Sequence, residues 1–290
     1  MALQFTRLHP LFVAAVSPVD LRQVDDRATL AALRAGMDEY AVLVLRNQPF
    51  TDAEQLAFAQ RFDGQLHAKT GAAALGGNRF GNEALADIGN VDDSGELLPP
   101  GDRRRQYGLA NRLWHTDASF EEPCGRYSIL SARVLPPIAA DTDFADMRSA
   151  YATLPAATRQ HIAALRAHHS IAYSRQTLGF EFSADELDRL RGASHPLVRR
   201  NPANGRPALY LAAHAARIID WPLADGRLLL RDLIEHATQP QFVYRHHWQP
   251  HDLVIWDNRA TMHRARPFAD TRYRRELRRV TTLDLPFALP

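Results

Sequence analysis

The stretch "DLVIWDN" (252–258), with "QFVYRHHW" (241–248) before it and "RRELRRVTTLDL" (274–285) after it, decides the fold. Each run is short and rich in β-branched or aromatic residues. Polar and turn-forming residues separate them, so they read as three closing strands. Working outward, "RYSILSARVL" (126–135) reads as a strand ending at Pro136-Pro137, and "DTDFADM" (141–147) alternates like another. "HHSIAYS" (168–174) reads as a further strand. "HPLVRRNPANGRPALYLA" (195–212) places Asn204-Gly205 between two strand-like runs, a hairpin signal. Earlier in the chain, "DDRATLAALRAGMDEY" (25–40) spaces Leu30, Leu33 and Met37 as a helix does. "AVLVLRNQ" (41–48) is a short buried strand. "TDAEQLAFAQRF" (51–62) opens on a Thr51-x-x-Glu54 capping box. Helical stretches also follow Met147, to about Leu165, and occupy 224–238. The expected fold is mainly β with flanking helices, an antiparallel double-sheet jelly roll of the double-stranded, cupin-like kind. No repeat or linker interrupts the chain, so one domain is expected over 1–290. Residues 64–110 lack periodicity, and an irregular run of that length suggests an active-site lid.

Composition excludes several classes. The chain has 290 residues and a formal charge of +2, which does not suggest a nucleic-acid binder. Lys69 is the one lysine among the 35 cationic side chains, in keeping with a coding bias toward arginine. Cys124 is the one cysteine, so no internal disulfide forms, and a reducing, cytoplasmic setting is expected. The start does not read as a signal peptide, and no run of 18 apolar residues predicts a membrane span. Association into a homo-oligomer is left open.

The chemistry centres on "LWHTDASF" (113–120). On an extended strand, His115 and Asp117 point to one face and can reach one ion. A mononuclear iron(II) site needs two imidazoles and one carboxylate, with positions left open for substrate and oxygen. His263, in "DLVIWDNRATMHRARPF" (252–268), is the candidate second imidazole, and a polar loop histidine is the plain alternative. The last strand adds a further signal. Arg275, Leu277 and Arg279 share one face, and two arginines aimed into a jelly roll are costly unless they meet anions. An open iron face beside an inward guanidinium suits a 2-oxo acid that chelates the metal and pairs its far carboxylate with arginine.

These motifs, in this order, together with "EHATQPQFVYRHHW" (235–248), resemble the Fe(II)/2-oxoglutarate dioxygenases of the taurine dioxygenase (TauD/TfdA) family. Within it they resemble the 2,4-dichlorophenoxyacetate branch. The resemblance runs from "LHPLF" near the start to "TTLD" near the end, with residues 64–82 poorly matched. It implies His115, Asp117 and His263 as iron ligands. Thr142 and Arg275 would hold the distal carboxylate of 2-oxoglutarate, and Arg279 the anion of the prime substrate. Lys69, in the candidate lid, and His214, in "LAAHAAR", are weaker expectations for the substrate pocket. A solvated lysine and a packed histidine are the alternatives. Ala140 stands where the family has glycine, and Asn201 where close relatives have a histidine. Trp114 and Trp256 are expected in the core. The pairs His168-His169 and His246-His247 are expected to be structural, because adjacent strand residues face opposite ways.

The implied reaction consumes O2 and 2-oxoglutarate, releases succinate and CO2, and hydroxylates a small anionic aromatic substrate. Where the hydroxylated carbon bears an aryl ether oxygen, the product collapses to a phenol and glyoxylate. The sequence leaves three other readings open. One is the same chemistry on an alkyl sulfonate or sulfate, or on another small carboxylate. Another is a zinc hydrolase built on the same trio, without H-E-x-x-H and without a role for Arg275 or Thr142. The last is a non-catalytic jelly-roll binding protein.

Overall fold

Strand Leu253–Asp257 lies at the centre of a seven-stranded sheet and is buried along its whole length. In the computed structural model, which describes residues 3–68 and 79–289, this strand runs antiparallel to Val42–Leu45 on one side and to Gly125–Val134 on the other. Outward from that centre lie Ala14–Ser17 and Gln4–Arg7 beyond Val42–Leu45, and Glu276–Leu283 and Leu85–Gly89 beyond Gly125–Val134. Register explains the unbroken apolar run. Ile255 lies opposite Leu43 and Ile129, and all three face the helices Arg27–Tyr40 and Asp52–Asp63 through Leu33, Phe58 and Phe62. Val254 and Trp256 face the other way, with Val42, Leu130 and Leu277, onto Phe144. Phe144 belongs to a three-stranded sheet of Val243–His246, Thr142–Asp146 and Thr261–Ala265. The space between the two sheets is the inside of the jelly roll. Outside the smaller sheet, Ala145 and Met262 pack with Leu230 and Leu233 of the helix Leu223–Ala237. The expected mainly β, double-sheet fold with outer helices is therefore present.

The capping box at Thr51 is formed in both directions. Three local expectations need correction. "HHSIAYS" is a strand only to His169, because Ser170 accepts the backbone N–H of Tyr173 and caps the helix Ile171–Gln176. The hairpin at Asn204-Gly205 joins Val198–Arg200 to Pro207–Leu209, but its loop runs over residues 201–206. Asn201 organises that loop by accepting Ala203 N–H on its side chain and Gly205 N–H on its carbonyl. Residues 64–110 are not one irregular lid. Leu85–Gly89 is an edge strand paired to Glu276–Val280, and Arg103–Gly108 is a short helix. Residues 69–78, with Lys69 among them, lie outside the described residues.

Candidate metal centre and substrate pocket

His115 and His263 face each other across an isolated antiparallel bridge, each N–H donating to the other's carbonyl. Asp117 follows in the turn after the bridge, with Ala118 at φ 53°. The three converge through a bridge and a turn, not through the alternation of one continuous strand. Their ligand atoms lie within 4.8 Å of one another, and all three side chains are buried. Asp117 places Oδ1 3.8 Å from His115 Nε2 and Oδ2 3.6 Å from His263 Nε2.

The donor set suits a divalent metal. His115 Nδ1 lies 2.8 Å from the Leu113 carbonyl, which can only accept, so Nδ1 carries the hydrogen and Nε2 offers its lone pair. Burial pushes His115 down to about 4 and His263 well below the ordinary range, so both rings are neutral near pH 7. Burial alone would raise the Asp117 carboxyl. Arg279, which pairs with its Oδ1, outweighs that effect with help from the imidazoles and Ser128, and holds it at about 2.

A buried relay fixes the carboxylate. Ser128 Oγ donates to Asp117 Oδ2 at 2.7 Å, and Asn258 Nδ2 donates to Ser128 Oγ at 2.9 Å. Asn258 Oδ1 accepts Asp117 N–H at 3.1 Å and the Trp256 indole N–H at 3.0 Å. Trp256 is fully buried and packs its ring 4.6 Å from that of His263, so it is a core residue with one polar task. Trp114 is half-buried against the outer core, under the guanidinium of Arg264.

Beside the trio, Arg275 and Thr142 line a small recess together with Ile88 and Leu130. Arg275 is buried, its Nε lacks a partner among the described residues, and burial pushes it down to about 10 although Asp141 pulls the other way. Thr142 Oγ1 accepts the Trp248 indole N–H at 3.0 Å, which leaves its own hydrogen free to donate. A larger cavity of about 380 Å³ opens from the same centre and includes Arg279, Arg175, His214, Tyr107, Phe120 and Ile171. His214 is buried there, with Nδ1 2.9 Å from Ser174 Oγ and its ring 5.8 Å from that of His115, so it is not a surface histidine. The paired histidines behave structurally: His169 meets Ser119 at 2.9 Å and His246 meets Asp252 at 3.1 Å.

The sequence reading missed two groups. His67 is buried beside Arg279, with Nδ1 unpartnered among the described residues, because residues 66 and 67 run along the end of the last strand. Burial first, and Arg279 next, push it down to about 4. Arg175 lies on the helix that was expected to be a strand. A positional signal for His67 was its place two residues before Lys69; Arg175 had none.

Comparison with known proteins agrees with this geometry. The chain is 44% identical over 284 residues to an alpha-ketoglutarate-dependent 2,4-dichlorophenoxyacetate dioxygenase of Burkholderia sp. (strain RASC), covering 98% of this chain and 95% of that protein. It is 33% identical to an (S)-phenoxypropionate/alpha-ketoglutarate-dioxygenase of Sphingobium herbicidovorans, covering 94% and 92%. The crystal structure of AAD-2 in complex with Mn(II) and N-oxalylglycine superposes with a TM-score of 0.93 at 41% identity, over 98% of each chain. The family model for "Taurine catabolism dioxygenase TauD, TfdA family" matches residues 4–281, and the chain belongs to that family.

Proposed function

We propose that this chain is an Fe(II)- and 2-oxoglutarate-dependent dioxygenase acting on aryloxyalkanoate-type carboxylates. It hydroxylates the carbon next to the ether oxygen. One molecule each of substrate, 2-oxoglutarate and O2 yields the hydroxylated acid, succinate and CO2. The hydroxylated product is a hemiacetal, which releases a phenol and a 2-oxo acid, glyoxylate in the case of an aryloxyacetate. The observation that carries this reading is the buried trio opening both onto the Arg275–Thr142 recess and onto a cationic, aromatic cavity. The 2,4-dichlorophenoxyacetate and phenoxypropionate relatives support the substrate class.

In this reading His115, Asp117 and His263 hold the iron. Bound Fe(II) with 2-oxoglutarate supplies oxygen activation strong enough to hydroxylate a C–H bond, which no side chain can do. The chain's own residues bind and orient. Arg275 meets the distal carboxylate of 2-oxoglutarate with two N–H donors while Thr142 adds its hydroxyl hydrogen. Ile88, Leu130 and Trp256 keep that recess apolar, which strengthens the ion pair. Arg279 and Ser128 keep Asp117 ionised and oriented. No side chain has to give or take a proton at the reacting carbon.

The test is aerobic incubation with Fe(II), 2-oxoglutarate and either phenoxyacetate-type acids or taurine and alkyl sulfates. Phenol and succinate in equal amounts are expected from the acids, and none from a His115→Ala variant that keeps its fold. Coupled turnover with sulfonates or sulfates alone would move the chain to the other branch of its family. Absence of coupled turnover with every anion would return it to a binding role.

A further inference from the structure

We infer that Arg175 is a further anchor for the anionic end of the prime substrate, beside Arg279, to which the family resemblance gives that role. The choice of probe rests on the proposed function.

Arg175 is 4% exposed, yet its polar contacts are neutral: Ser174 Oγ at 2.9 Å and Asn111 Oδ1 at 3.5 Å. The Tyr107 ring lies under the guanidinium, 4.6 Å from centroid to carbon, and Nε has no partner among the described residues. Arg279 pairs with Asp117, and its Nε likewise has no partner among the described residues. The other acidic groups around the cavity are engaged at its rim, Asp270 by Arg105 and Arg112, Asp87 by Arg79, and Asp93 by Arg104. Among the described residues, the inner cavity therefore brings the guanidiniums of Arg175, Arg275 and Arg279 to the single carboxylate of Asp117. Burial penalises the Arg175 guanidinium most, and Arg279 repels it, against a weaker pull from Tyr107 and Asp117. A buried cation without a counter-ion is a costly arrangement that an incoming anion relieves.

The surroundings fit the rest of an aryl acid. Tyr107, Phe120 and Ile171 line the cavity beside Arg175 and belong to one apolar cluster with Phe180. A carboxylate on Arg175 puts the attached ring against that wall. The same geometry disfavours a neutral ligand, which leaves the guanidinium unpaired after water has been displaced.

Calorimetric titration of phenoxyacetate and phenoxyacetamide into protein loaded with Mn(II) and 2-oxoglutarate tests this without turnover. For Arg175→Met, the Kd of the acid is expected to rise about 30-fold, or about 2 kcal/mol, while that of the amide changes less than about 3-fold. Arg175→Lys keeps the charge without the fork and is expected to fall between the two, and it carries the test if Arg175→Met does not fold. Arg279→Met is expected to weaken Mn(II) loading as well, which Arg175→Met leaves unchanged. Unchanged acid affinity in the Arg175 variants, or an equal loss for acid and amide, overturns the assignment. Parent protein that prefers the acid but releases no phenol overturns the reaction and leaves Arg175 in place. Parent protein that turns over the acid, with Arg175→Met binding it normally, overturns Arg175 alone. Parent protein that binds neither ligand overturns both.

Discussion

Ser128 presents one hydroxyl to the carboxylate of Asp117 and receives one N–H from Asn258, all in a dry interior. Groups that orient a metal ligand in this way typically account for about 10–100-fold in metal affinity. Ser128→Ala is therefore expected to weaken Fe(II) binding about 10-fold with little change in melting temperature, as read by metal titration. Equal affinity in parent and variant would remove Ser128 from the site. Arg275→Leu is expected to raise the Kd for 2-oxoglutarate sharply, because a charge-assisted pair with a buried partner costs about 2–5 kcal/mol to break. Binding of 2-oxoglutarate as tight as in the parent would end that assignment. At this scale the sequence was informative where chemistry and spacing coincide. His115, Asp117 and His263 are the types an iron site needs, and they meet within 4.8 Å. Arg175 and His67 were not legible, because only the packed chain shows that each is buried and short of a partner.

Among the elements, strand Gly125–Val134 is where the metal turn meets the large sheet. A side chain at Gly125 would bring its Cβ to 3.0 Å from the Asp117 carbonyl oxygen and 2.9 Å from the Thr281 methyl. Glycine is needed there for close approach. Gly125→Ala is expected to lose about 1–3 kcal/mol of stability, as overpacked positions do, and to loosen metal binding with it. Urea midpoints and metal titration on one sample check both, and a variant as stable as the parent would show that the turn can yield. The strands legible in sequence were those with apolar faces of their own, such as 253–257 and 126–134. Leu85–Gly89 escaped notice because five residues containing Asp87 and Gly89 carry little strand character until Glu276–Val280 pairs with them. The helix Ile171–Gln176 was hidden behind Ile171, and Ser170 overrides that local preference by capping.

For the molecule as a whole, acid is the informative variable. His169 is fully buried, with Nε2 unpartnered, and burial followed by His195 and His168 pushes it down to about 3. His67 stands at about 4 for the reasons given above. Both folded values lie below the ordinary 6.5, so as pH falls the unfolded chain takes up protons first. Stability from these rings is intact above 6.5 and is lost below it, by about 1.4 kcal/mol per pH unit for each, until the folded values are reached. Urea midpoints are expected to drop between pH 7 and 5, and to drop less steeply in His169→Gln. A flat profile over that window would show that the rings titrate normally. Finally, the last strand, Glu276–Leu283, lies between two much earlier ones, and its Thr282 donates to Asp63, 219 positions away. Arg275 and Arg279 travel with that strand. Until that strand docks, neither arginine is in place and the edge of Gly125–Val134 is unpaired. Topology of this kind folds slowly and late. The polypeptide can thus build much of its scaffold and still be unable to hold its ligands, and it becomes competent only when that one strand closes the sheet.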